Sequence, residues 1–115
     1  MPSPPLVPDD GPIDLQQLRQ MTLGDAALER EVLAMFMAQS DRLMGTLATL
    51  PGEASALAHT LKGSARAIGA TRVAECASVL ELAIREGEDP RLSLSELNEA
   101  VAEARMAITA MLERS

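Results

Sequence analysis

This 115-residue chain predicts an all-α fold, and three observations carry that expectation. Its apolar content, 47% of the residues, is Leu, Ala, Met, Val and Ile with a single aromatic, Phe36. Good helix formers therefore dominate, and clusters of β-branched and aromatic residues that would favour strands are missing. Apolar residues recur at helical rather than alternating spacing. Breakers punctuate the chain at "TLGD" (22–25), "LPGE" (50–53), Gly69 and "GEDP" (87–90). Four amphipathic helices with short connections imply antiparallel neighbours, hence an up-down-up-down four-helix bundle. A short N-terminal helix is expected to cap one end.

Residues 1–12 contain five prolines and two consecutive aspartates and read as a mobile tail, leaving 13–115 as the folded domain. The first helix spans about 13–21, with Ile13, Leu15, Leu18 and Met21 as its apolar positions. Asp25 is placed to cap a long second helix reaching Leu50. Its inward stripe is Leu28, Val32, Met35 or Phe36, Gln39, Leu43, Leu47 and Leu50, with Gln39 the one polar member. A third helix covers 53–68 and a fourth 71–86, the latter facing inward through Val73, Cys76 or Ala77, Leu80 and Ile84. The last runs from 91 to 113, with Ser93-Leu94-Ser95-Glu96 as a capping-box pattern. Leu97, Val101, Ala104, Ile108 and Met111 or Leu112 form its inner face.

Composition excludes several functions. Ten basic against seventeen acidic residues give a net charge of −7, and base-stacking aromatics are lacking, so a nucleic-acid binder is not expected. A single cysteine, Cys76, permits no internal disulfide and fits a reducing compartment. No apolar run approaches a membrane span, and "MPSPPLVPDDGPID" lacks the regions of a secretory signal. A cytoplasmic protein is expected, with no membrane association. One histidine and scattered acids provide no metal-ligand constellation.

That histidine, His59, sits in "AHTLKGSARAIGA" (58–70). With His59 at zero and about 100° per residue, Leu57, Leu61 and Ile68 fall at about 160°, 200° and 180°. Lys62, Gly63 and Arg66 fall at about −60°, 40° and −20°, on the histidine's own face. His59 is thus directed to solvent beside two cations and one bare backbone position. Glycine there costs about 1 kcal/mol of helix propensity, which a solvated face gives no reason to accept. An absent side chain beside the imidazole would instead let another protein's surface come close. Between Ala54 and Ala74 the chain carries Lys62, Arg66 and Arg72 and no acid, a formal +3 in a chain of −7. A basic patch around an exposed histidine points to an anion at that spot.

Counting places a second residue. His59 lies ten residues before Gly69 and Glu81 eleven after Ala70, so both stand about 15–17 Å from the turn between their helices. Glu81 flanks the inner stripe of the fourth helix. Two readings stay open: a carboxylate accepting from the imidazole Nδ1–H, which would leave the Nε2 lone pair free, or a solvated acid pairing with Arg85 at i+4.

"HTLKGSARAIGA" followed by "VLE" resembles the histidine-containing phosphotransfer (HPt) domains of bacterial multistep phosphorelays. Their pattern of His-x-x-Lys-Gly, a Gly-Ala turn and a downstream Leu-Glu or Leu-Gln is met by His59, Lys62, Gly63, Gly69, Ala70, Leu80 and Glu81. The likeness extends over about residues 13–113, Phe36 in the second helix included. It implies that His59 accepts a phosphoryl group from a receiver-domain aspartate and passes it to a second receiver. The partners would be the receivers of a hybrid histidine kinase and of a response regulator. Lys62 and Arg66 would then balance phosphoryl charge, Gly63 provide clearance and Glu81 orient the ring. Arg42 and Arg72, with exposed residues near His59, would contribute to the partner surface. No cofactor is expected, Mg²⁺ being supplied by the receiver.

The same resemblance implies a carrier and not an enzyme. A kinase His box would place an acid after the histidine, where this chain has Thr60, and no nucleotide-binding lobe fits in 115 residues. A Cys-based enzyme would need Cys76 exposed, whereas its position reads as core. The alternative is an unphosphorylated helical adaptor that binds receiver or kinase domains. Because a closed bundle buries its own stripes, a monomer is expected.

Overall fold

The computed structural model describes residues 11–114. Most of the expected tail, residues 1–10, lies outside the described residues, as does Ser115. Five helices follow one another: α1 (Leu15–Thr22), α2 (Ala26–Leu47), α3 (Ala54–Ala67), α4 (Thr71–Arg85) and α5 (Arg91–Arg114). There is no strand among the described residues. The helices α2 to α5 pack in a ring, each against the next and α5 back against α2, with α3 and α4 in the most extensive contact. Between them lies a core of leucines and alanines, with Leu33, Phe36, Leu47, Leu61, Leu80, Leu97 and Ile108 among its larger members. α1 touches α2 and α3 across one end. The bundle with a capping helix is therefore the architecture found.

Local chemistry sets the helix ends. Asp14 caps α1 by accepting from the backbone N–H of Gln16 and Gln17, and Asp25 caps α2 by accepting from Leu28 N–H at 3.1 Å. Just past the end of α3 stands Gly69, whose φ of +80° lies in the region open to glycine. There Ala70 N–H reaches the Ala65 carbonyl at 2.8 Å and Gly69 N–H the Arg66 carbonyl at 3.3 Å, closing the helix. The Gly69 carbonyl accepts from Asp14 N–H at 2.7 Å, and the Gln17 side-chain amide donates to the Arg66 carbonyl. These two bonds fasten α1 to the α3–α4 turn. A Cβ on residue 69 would stand 2.5 Å from the Asp14 carbonyl oxygen, so only glycine permits this junction.

Three details differ from the sequence expectation, and two alternatives it left open are decided. The buried polar residue of α2 is Ser40, fully enclosed with its hydroxyl donating to the Met37 carbonyl, while Gln39 sits at the margin. Of the alternatives left open, Phe36 and Ala77 take the core positions, leaving Met35 exposed and Cys76 half-buried. Of the four apolar positions expected in the first helix, Leu15 and Met21 are exposed, Leu18 is buried, and Ile13, also buried, precedes α1. Finally, α5 begins at Arg91 as expected, but the Ser93–Glu96 capping-box pattern does not mark its start. Pro90 precedes it, and Asp89 accepts from Arg91 N–H at 3.1 Å, so Ser93 already lies inside the helix.

Candidate functional site

The α3–α4 hairpin is built on small residues. Ala58 and Ala65 of α3 and Ala74 and Ala77 of α4 are buried. Alanines let helix axes approach to the near end of the usual 8–10 Å range. A glutamate side chain can then span the gap between the two helices. Glu81 does so: its Oε2 stands 3.0 Å from His59 Nδ1 and its Oε1 accepts from Lys62 Nζ at 2.9 Å. Arg85, one turn further along α4, brings a guanidinium nitrogen to 3.6 Å from Oε2. Both readings left open for Glu81 thus describe real neighbours, but the carboxylate is not solvated, with its side chain only 9% exposed.

A carboxylate withdrawn from water needs donors to remain charged. The Lys62 hydrogen bond, with that from His59 adding to it, holds Glu81 below the usual carboxylate range against the opposing effect of burial. An ionised carboxylate accepts and cannot donate, so in the neutral ring Nδ1 carries the proton and Nε2 the lone pair. The His59 side chain is 66% exposed. Its inner nitrogen is anchored to Glu81, and the solvent-facing remainder of the ring carries Nε2.

The other expected residues divide into two groups. Gly63 is exposed in regular helix, and a Cβ built there would meet nothing within 4 Å, so the fold itself does not call for glycine. Arg66 is exposed two turns along the same face, and among the described residues its guanidinium has no hydrogen-bonding or ion-pair partner. Arg42 is exposed on α2 and borders a shallow groove against α3, lined also by Met35, Phe36, Gln39, Ser64 and Ala67. Ser64 and Ala67 lie about 140° and 80° around α3 from His59, on the side of Gly63.

Arg72 does not join them. It is about 180° around α4 from Glu81, and it pairs with Glu103 of α5 at 2.7 Å. The basic patch is therefore Lys62, Arg66 and Arg85, with Arg72 on another face. Lys62 also differs from expectation: its side chain is 16% exposed and engaged by Glu81 rather than free in solvent. Arg85 is the cation that a window ending at Ala74 left out, and its i+4 spacing from Glu81 was the available signal.

Cys76 is no rival centre, since burial pushes its thiol up and away from the reactive thiolate. Among the described residues no group of His, Cys, Asp and Glu gathers as a metal site. No helix there is long and apolar enough to cross a membrane.

A family model for the Hpt domain matches residues 31–115, well over half of the sequence. The chain belongs to the Hpt domain family. Hpt domains serve histidine phosphotransfer in phosphorelays, where they interact with receiver domains and act as phosphocarriers rather than catalysts. The match takes in α3 and α4 whole, and so every residue of the His59 cluster. No curated protein matches this Hpt domain.

Proposed function

We propose that this Hpt domain carries a phosphoryl group on Nε2 of His59, received from a receiver-domain aspartate and passed to a second receiver. The observation that carries this reading is the 3.0 Å contact between His59 Nδ1 and Glu81, which turns the lone pair of the chain's one histidine outward. In the transfer, that lone pair forms the N–P bond while the P–O bond to the aspartate breaks and its electrons remain on the leaving carboxylate. No proton has to move. Nδ1–H stays on the ring, and the positive charge that the ring acquires faces the Glu81 carboxylate.

Phosphoryl transfer asks mainly for positioning and charge neutralisation. Neutral imidazole is itself a competent nucleophile. Lys62 and Arg66 balance charge on the incoming group, and Gly63 gives the receiver's surface room beside the ring. The receiver brings Mg²⁺ with its own acidic pocket, and Arg42 meets it across the α2–α3 groove. On this reading the domain is a cytoplasmic monomer with no cofactor or catalytic turnover of its own. Its partners are the receivers of a hybrid histidine kinase and a response regulator.

The test mixes the protein with radiolabelled phospho-receivers from the same cell, comparing wild type with His59→Gln. Label on wild type alone, acid-labile and base-stable, is the expected result. Absence of transfer from every receiver to a folded wild type would overturn the reading in favour of an unphosphorylated adaptor.

A further inference from the structure

The Glu81 carboxylate has more positively charged company than orienting an imidazole requires. Lys62 occupies Oε1 at 2.9 Å, His59 occupies Oε2 at 3.0 Å, and Arg85 stands at 3.6 Å from that same Oε2. That last distance is an ion pair but lies beyond the 2.7–2.9 Å of a good charge-assisted hydrogen bond. Arg85 is 66% exposed, so it waits at the mouth of the cluster while Glu81 lies within. We propose that Arg85 is a positioning residue for the phosphorylated state, holding Glu81 in place when Lys62 turns toward the phosphoryl group. This rests on the proposed role of His59.

Charge and geometry carry the argument. A phosphoryl group on Nε2 adds nearly two negative charges beside Glu81. Lys62 sits three residues beyond His59 on the same helix, and Glu81 is its partner before transfer. Once its ammonium is drawn to the phosphoryl oxygens, Oε1 of a largely buried carboxylate loses its donor just as a dianion arrives nearby. A largely buried carboxylate left with one donor fewer is unfavourable.

Arg85 eases the difficulty with a shift of under about 1 Å, which would bring its guanidinium into direct hydrogen bonding with Oε2 and keep a cation on the carboxylate. Glu81 then stays ionised and keeps its bond to Nδ1–H. The tally of charge agrees: Lys62, Arg66, Arg85 and the ring cation carry four positive charges against one on Glu81 and nearly two on the phosphoryl group. A cation in the last turn also suits the end of α4. That alone would give Arg85 no link to His59 chemistry, which is what the experiment separates.

The experiment uses the full chain as wild type, Arg85→Gln and Arg85→Lys, each alone and combined with Glu81→Gln. It reads the equilibrium of phosphoryl exchange with a phospho-receiver and the ¹⁵N spectrum of the His59 ring with and without phosphate. Arg85→Gln should move the equilibrium away from His59 about two- to fivefold, the range for one partly exposed ion pair. Arg85→Lys should restore most of it, and the Nδ1–H tautomer of the unphosphorylated ring should not change. In the Glu81→Gln background Arg85→Gln should have no effect.

An equal loss in that background would overturn the proposal, showing that Arg85 acts on the receiver directly. An unchanged equilibrium, or a disturbed tautomer before phosphorylation, would overturn it as well. A wild type that takes up no phosphate would refute the proposed function, and this inference with it, whereas the outcomes above refute the inference alone.

Discussion

Gly63 offers a test in which stability and activity should move in opposite directions. It lies inside α3, at φ other than the left-handed region, and a Cβ added there meets no atom within 4 Å. Gly63→Ala therefore creates no clash and recovers the helix propensity that glycine forfeits, about 1 kcal/mol. For a domain of this size that corresponds to a rise in Tm of about 4 °C. Gly63→Leu keeps nearly the same propensity but raises a branched side chain beside the His59 ring. Its transfer rate from a phospho-receiver should fall about 10- to 100-fold, the scale on which displacement of reacting groups by about 1 Å acts. Circular dichroism on heating gives the first quantity and rapid-quench labelling the second. A lower Tm for Gly63→Ala would mean that the fold needs glycine after all. A wild-type transfer rate for Gly63→Leu would remove the clearance argument.

Three other outcomes are expected. Because Lys62 chiefly, and His59 after it, lower the Glu81 pKa from 4.5 against burial, the stability from this group is complete above that value and is lost as pH falls through the folded pKa. The difference in unfolding free energy between wild type and Glu81→Gln, measured by urea titration, should accordingly shrink below pH 4.5. Gly69→Ala forces a Cβ to 2.5 Å from the Asp14 carbonyl oxygen at φ +80°, and should destabilise the domain by about 2–3 kcal/mol in the same assay. Arg72→Ala, which breaks only the exposed pair with Glu103, should leave phosphoryl uptake at the wild-type rate in the labelling experiment.

Helical phase made much of the site legible. The alanines and leucines of α3 lie on one side, so His59 had to face outward, and equal offsets from the Gly69–Ala70 turn put Glu81 opposite it. Phase was also where the reading lost accuracy. Over the six turns of α2, a period between 3.5 and 3.6 accumulates enough drift to exchange Ser40 for its neighbour Gln39 on the buried stripe. Lys62, at about −60° from His59, falls on the boundary between exposed strip and packed face. Only the distance between helices decides whether such a lysine reaches solvent or a neighbour. Arg72 was misplaced for a different reason. A charge count over a sequence window treats the window as a surface, yet this one crosses the turn, and beyond it the helix points Arg72 toward α5. At the start of α5, Asp89 and Pro90 set the boundary ahead of the serines, although both patterns look like caps in one dimension.

Because the imidazole and its carboxylate belong to one hairpin, 22 positions apart in sequence, the site is locked in length. A single residue inserted or lost between His59 and Glu81 would rotate one partner by about 100° and slide it by about 1.5 Å relative to the other. The turn cannot absorb the change, since Gly69 is bonded from both sides and abutted by Asp14. Loops at 48–53 and 86–90 lie outside this stretch and can vary in length without touching the pair. Drift among descendants of this sequence should thus take the form of substitutions within 59–81 and of insertions or deletions only beyond it.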